Sequence, residues 1–215
     1  MRRAITIGDG MTIRILTVDD HQLLREGIAA VLDGESDIML VGEASNGREA
    51  IERFRELRPD VTLMDLRMAG MSGIEAITRI RADFADARII VLTTYQGDAQ
   101  ALRALKAGAA GYLLKGTLRR DLLDTIRAVH AGKRHIPTEI AAEIAEHATD
   151  DTLTGREIEV LRRVGAGRSN KRIAAELAIS ESTVKAHLKS VLAKLQASDR
   201  THAVTIALKR GIIDI

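Results

Sequence analysis

Five short apolar runs recur between residues 13 and 131, each followed by a segment of helical length. The runs lie at 13–18, 38–44, 60–64, 88–93 and 110–114, and the helix-like segments at 21–32, 46–57, 73–82, 98–107 and 119–131. Five such pairs imply a parallel sheet covered on both faces. The runs are almost continuously apolar, as strands buried on both sides should be. Right-handed crossovers then give an α/β fold with an open, doubly wound, five-stranded sheet. Gly108, Gly111 and Gly116 crowd the last run and suit tight turns.

The strand ends carry the chemistry. In a parallel sheet all strand C-termini share one edge, where ligands of such sheets usually bind. Asp65 follows Val61-Thr62-Leu63-Met64, Asp19-Asp20 follow Ile13 to Val18, Thr93 follows Ile89 to Leu92, and Lys115 follows Tyr112-Leu113-Leu114. A carboxylate at the end of a buried strand is costly unless a polar group meets it. Three neighbouring carboxylates raise each other's pKa, a conflict that a divalent cation resolves. Oxygen ligands suit Mg²⁺. We assign Asp20 and Asp65 as direct ligands, Asp19 as a ligand through water, and the backbone carbonyl of Arg67 as a further ligand. Asp65 can then act as a carboxylate nucleophile and form an aspartyl phosphate. Lys115 offers a point charge, and Thr93 a hydroxyl, to the phosphoryl oxygens.

As a set, Asp19-Asp20, Asp65-Leu66-Arg67-Met68, Thr93 and Lys115 resemble the receiver domain of two-component response regulators. The resemblance covers residues 13 to 131. It implies a flavodoxin-like fold, phosphotransfer from a sensor histidine kinase, and a switch formed by Thr93 and Tyr112. Two positions depart from the family pattern. Ala69 and Gly116 stand where proline, or for Gly116 also aspartate, is common, which loosens the loops beside the site without removing a reacting group. His21 is expected at the rim of the site, with no assigned role.

The charge balance points to a second partner. The net charge of the 215-residue chain is +2. From Thr152 onward, however, 12 Lys/Arg face 6 Asp/Glu, leaving 20 against 24 before it. An acidic front and a basic back suit different partners. Thr154 and Glu157 form a capping-box pattern with Leu153 and Ile158 as its staple, and Ser180 is a second N-cap candidate. Two helices flank a turn at Ala178-Ile179-Ser180. On the second, Val184, Leu188, Val191, Leu192 and Leu195 make one apolar stripe. Ser182, Lys185, Ala186 and Lys189 make a polar, basic face that can enter the major groove. Arg168, Lys171, Arg172, Lys194 and Arg200 are candidates for phosphate contacts. Charge and periodicity alone fit equally well a helical hairpin with solvated lysines.

Leu153-Thr154-Gly155-Arg156-Glu157, Ser169-Asn170-Lys171, Ser180-Glu181-Ser182-Thr183-Val184-Lys185 and Lys194-Leu195 resemble the LuxR-type helix-turn-helix. That resemblance places base contacts on Lys185, Ala186 and Lys189, with Ser182 and Thr183 at the rim. It also suggests a homodimer on DNA, for which Ala203, Val204, Ala207 and Leu208 of the last helix are the candidate face.

The expected organisation is an extension at 1–12 that frays, a receiver at 13–131, a partly helical linker at 132–151 and a helix-turn-helix domain at 152–215. With no cysteine, the chain has neither disulfides nor thiolate metal sites, which is compatible with a cytoplasmic location. No apolar run approaches the ~20 residues of a membrane-spanning helix. Joined, the two resemblances point to the NarL/FixJ class of response regulators. They imply phosphorylation-dependent binding to double-stranded promoter DNA. A metal-dependent phosphatase is the alternative of another class. Such enzymes commonly place an acid two residues after the nucleophile, a position held here by Arg67.

Overall fold

The computed structural model describes residues 12–94, 98–146 and 153–213. Most of the expected N-terminal extension and the end of the linker therefore lie outside the described residues. The described residues form two compact units, one from 12–94 with 103–137, the other from 98–102 with 138–146 and 153–213.

The first unit alternates strand and helix. Its elements are β1 (Ile13–Val18), α1 (Gln22–Leu32), β2 (Ile38–Ala44), α2 (Gly47–Leu57), β3 (Val61–Asp65), α3 (Gly73–Asp83), β4 (Ile89–Thr93), the C-terminal part of α4 (Asp98–Lys106, of which 98–102 group with the second unit), β5 (Gly111–Leu114) and α5 (Leu118–His130). The strands pair in the order β2-β1-β3-β4-β5, all in parallel. This is the doubly wound sheet the alternation predicts. Every residue of β3 and β4 is buried, which is why those runs lack an alternating pattern. Ile15, Val61, Leu63, Ile90 and Leu92 form the centre of one core, with Ile28 and Leu32 of α1 and Leu122 and Ile126 of α5.

Local chemistry sets the helix starts. The Asn46 side chain accepts hydrogen bonds from the N–H groups of Arg48 and Glu49, and Ser72 forms a reciprocal capping box with Glu75. Arg127 ties α5 to the chain entering β2, through Asp37 at 2.8 Å and Glu35 at 2.6 Å. The first unit runs past the expected boundary at 131. The Tyr112 N–H donates to the His135 carbonyl at 2.8 Å, and the His135 N–H to the Ala110 carbonyl at 3.1 Å. Those two bonds add 132–137 to the edge of β5.

The second unit contains α6 (Thr138–Glu146), α7 (Gly155–Gly165), α8 (Asn170–Leu177), α9 (Glu181–Lys194) and α10 (Arg200–Lys209). The predicted caps form: Thr154 and Glu157 make the box on α7, and Ser180 caps α9. Gly167 ends its turn at φ +73°, a left-handed conformation that favours glycine. Val160, Leu161, Ile173, Val184, Val191, Ala203 and Ala207 are fully buried together in its core.

Candidate functional site

The reversal of strand order falls between β1 and β3; β3 ends in Asp65, and Asp19 directly follows β1. Val18, just before Asp19, pairs with Met64, just before Asp65, so the two carboxylates leave the sheet side by side. Asp65 pairs with Leu92 and Thr93 with Leu114, which brings Thr93 and Lys115 to the same edge. The four elements named from sequence thus converge. Lys115 Nζ lies 2.7 Å from Asp19 Oδ2 and 3.0 Å from Asp65 Oδ2. Asp19 is fully buried, and Asp65 and Thr93 nearly so. Tyr112 is also fully buried, at the register position beside Val91.

Burial dominates the electrostatics of Asp65. It pushes the carboxyl pKa up, against the opposing pull of Lys115, and the neighbouring Asp19 charge adds to the rise. Ionising Asp65 therefore costs the fold stability as pH rises from the ordinary carboxylate range through its own raised pKa, and no further beyond it. Burial alone would lower the Lys115 pKa, but the Asp19 and Asp65 carboxylates outweigh it and hold the ammonium above its usual value. Lys115 is shared between two of the three acids, Asp19 and Asp65. Asp19, Asp20, His21 and Asp65 each place a ligand atom within 4.8 Å of the others. This oxygen-rich set suits a hard divalent cation. The Arg67 N–H donates to Asp65 Oδ1 at 3.3 Å, fixing the loop that follows β3.

Sequence reasoning gave no role to three contributors. His21 lies at the rim as expected, and its Nδ1 lies 2.8 Å from Asp20 Oδ1 and 3.2 Å from Asp19 Oδ1. Gly73 opens α3 directly behind the site. A Cβ there would collide with the Asp65 carbonyl oxygen, and the Gly73 N–H already donates to the Leu66 carbonyl at 3.1 Å. Its signal in sequence is only a glycine soon after the aspartate loop. Arg25 gives no local sequence signal; its guanidinium reaches the Asp19 carbonyl at 2.7 Å.

In the second unit, α8, a turn through left-handed Ala178, and α9 form the helix-turn-helix. Val184, Leu188 and Val191 of α9 face the core, while Ser182, Lys185, Ala186 and Lys189 are exposed. Lys171 is exposed as well. Other predicted phosphate contacts have partners within the domain. Glu176 lies 3.2 Å from Arg172 and 3.6 Å from Arg168, and Arg200 donates to the Arg168 carbonyl at 2.9 Å. Lys194 ion-pairs with Glu157 at 2.9 Å and is largely buried. The predicted dimer face divides. Ala203 and Ala207 are fully buried in the domain's own core and cannot face a partner, whereas Val204 and Leu208 are half-buried at its edge.

A buried aspartate at the switch point of a five-stranded parallel sheet, flanked by an acid pair and a lysine, defines a receiver; the second unit supplies a helix-turn-helix. Residues 15–127 match the response regulator receiver domain family, and residues 151–207 match the luxR family of bacterial regulatory proteins. The chain belongs to the response regulator family, with a LuxR-type DNA-binding domain. It is 39% identical over 208 residues to the response regulator protein VraR of Staphylococcus aureus, covering 94% of this chain and all of that one. Among solved structures it resembles ChrA, a response regulator of a heme-sensing two-component system. That match has 36% identity and a TM-score of 0.56, over 94% of this chain and 99% of ChrA. It also resembles the response regulator RcsB in complex with DNA, at 26% identity and a TM-score of 0.68, over 92% of this chain and 98% of RcsB.

Proposed function

We propose that this chain is a phosphorylation-controlled transcription regulator whose Asp65 accepts a phosphoryl group from a sensor histidine kinase. The observation that carries this reading is the meeting of Asp65, Asp19 and Lys115 at one sheet edge, with Lys115 within 3.0 Å of both carboxylates. A carboxylate oxygen of Asp65 attacks phosphorus as the P–N bond of a phosphohistidine breaks, and the imidazole nitrogen leaves with the electron pair and takes up a proton. Lys115 is placed to move from its carboxylate partners onto the phosphoryl oxygens, and the Thr93 hydroxyl donates to another of them. Asp20 and Asp65 would bind Mg²⁺ directly, Asp19 through water, and the Arg67 carbonyl would complete the protein's share. Bound there, the ion offsets repulsion between the carboxylates and the incoming phosphoryl group.

Thr93 drawn toward the phosphoryl group, with Tyr112 following, shifts the equilibrium between two receiver surfaces. The altered surface governs homodimerisation and binding to promoter DNA. On DNA, Lys185, Ala186 and Lys189 of α9 read base edges. Ser182, Thr183 and Lys171 contact the phosphates around them, together with Arg168, Arg172 and Arg200 where these leave their internal partners. Val204 and Leu208 are the remaining candidates for a dimer contact on α10. No described helix is long and apolar enough to cross a membrane, and a cytoplasmic location fits both proposed partners.

Acetyl phosphate labelling tests the central assignment. Wild-type protein with Mg²⁺ should acquire one acid-stable, hydroxylamine-sensitive phosphoryl group and bind its selected DNA more tightly, and Asp65→Asn should show neither change. Equal labelling of the two proteins would move the acceptor elsewhere.

A further inference from the structure

Arg25 closes the first turn of α1, six residues after Asp19, and its side chain is only 16% exposed. It donates in two directions. Nη1 reaches the backbone carbonyl of Asp19 at 2.7 Å, and Nε reaches Glu43 Oε2 at 2.9 Å. Glu43 is on β2, directly across from Thr17 of β1. The guanidinium therefore spans the ends of β1 and β2 and the start of α1. A charged donor on a carbonyl at this distance is among the stronger hydrogen bonds, and the fork fixes its direction.

The other restraints on the loop act mostly on side chains: Lys115 holds the Asp19 carboxylate, and His21 Nδ1 lies beside Asp19 and Asp20. His21, at the N-cap of α1, makes no side-chain capping bond. The Asp19 N–H donates to the Ala44 carbonyl at 3.1 Å, and Asp19 Oδ1 accepts from the His21 N–H at 2.9 Å. On the backbone side, the Asp19 carbonyl accepts from Arg25. Rotation of the peptide would swing Asp20 away from Asp65.

We propose that Arg25 is a positioning residue of the acidic pocket. Anchored by Glu43, it holds the Asp19 carbonyl so that the Asp19-Asp20 turn presents its carboxylates to a divalent cation. This rests on the reading of the pocket given above. The role makes a prediction opposite in sign to simple electrostatics. A bystander cation near the pocket repels a metal ion, so its removal should tighten metal binding. A positioning residue should weaken binding when removed, by about tenfold or more, as partners that orient metal ligands do.

The test is titration of the full-length protein with Mn²⁺, free ion being counted by electron paramagnetic resonance, with Mg²⁺ as competitor. Arg25→Ala should weaken Mn²⁺ binding about tenfold. Arg25→Lys keeps the charge but has no fork to span both acceptors, so it should recover only part of the loss. Glu43→Gln should weaken binding less than Arg25→Ala, and combining the two should add nothing, since both break one clamp. Metal-free thermal unfolding of each variant separates a loose turn from a damaged fold. Unchanged or tighter Mn²⁺ binding in folded Arg25→Ala, or full recovery by lysine, overturns the proposal. If the alanine variant does not fold, unchanged affinity in both Arg25→Lys and Glu43→Gln overturns it. Wild-type protein that leaves all Mn²⁺ free overturns the pocket reading itself, a result distinct from selective failure of the Arg25 variants.

Discussion

At the scale of single residues, the space around Asp65 is as restrictive as its charge. The backbone of β3 turns away from the sheet at Leu66, and α3 starts against it at Gly73 with no room for a side chain. A methyl group there meets a carbonyl oxygen, which cannot swing aside as a flexible side chain could. Overpacking of this kind costs about 1–3 kcal/mol. Gly73→Ala should lower the stability of the receiver by roughly 2 kcal/mol, read as a shift in its urea midpoint. It should also weaken beryllofluoride binding, read by fluorine NMR, because relief comes from moving the Asp65 peptide. Loss of stability with undisturbed beryllofluoride binding would show that the strain is absorbed in α3 instead.

At the scale of elements, Glu157 joins two helices of the DNA-binding domain. It accepts from the Thr154 N–H at 2.7 Å, from Ser190 at 2.6 Å and from Lys194 at 2.9 Å, so it pins the start of α7 to the C-terminal half of α9. Burial opposes its charge, but Ser190, the Thr154 N–H and Lys194 prevail and hold its pKa down to about 2. A depressed acid contributes stability that is present above its unfolded value and is lost as pH falls through the folded one. That places the loss between about 4.5 and about 2. The shift corresponds to at most about 3 kcal/mol. Glu157→Gln should shrink the acid dependence in this window, leaving the smaller share of Asp199, whose pKa is also held down, and lower stability at neutral pH by about 2 kcal/mol, because Lys194 keeps its charge and loses its partner. Urea unfolding followed through the methyl resonances of Val160 and Leu188 reports it. An unaltered acid limb would assign the loss to another carboxylate.

The capping box on α7 was legible because it is a local pattern, and so were the five strands and the acceptor edge, since each strand ends in its own polar residue. The Lys194 pairing was not legible: nothing in a helix's own sequence shows which charge a neighbouring helix presents. Arg25 and Glu43 meet because α1 packs beside β2, and Ala203 and Ala207 are buried where α7 and α9 pack against α10. Sequence periodicity carries neither fact.

At the scale of the whole molecule, the opposed charges of the two halves are best understood through their partners. The acidic pocket repels polyanions and needs a cation, while the basic domain is drawn to phosphates. Nucleic-acid affinity should therefore fall steeply with salt, by a slope set by how many cations reach the backbone. The structure sorts those cations. Lys189 is exposed on α9, whereas the Lys194 ammonium is already held by Glu157. Fluorescence anisotropy with a DNA site selected from random sequence, measured across a salt series on the phosphorylated protein, distinguishes them. If Lys189 contacts phosphate, Lys189→Ala should reduce the slope of log affinity against log salt by about 1. If it contacts a base edge, the slope should hold, affinity should fall by about 1–3 kcal/mol, and preference at one position should relax. Lys194→Ala should leave the slope unchanged and act on affinity only through the stability of the domain. A slope reduced by the Lys194 variant and not by the Lys189 variant would place the DNA against the far end of α9, and the face carrying Lys185 and Ala186 would then no longer be the reading surface.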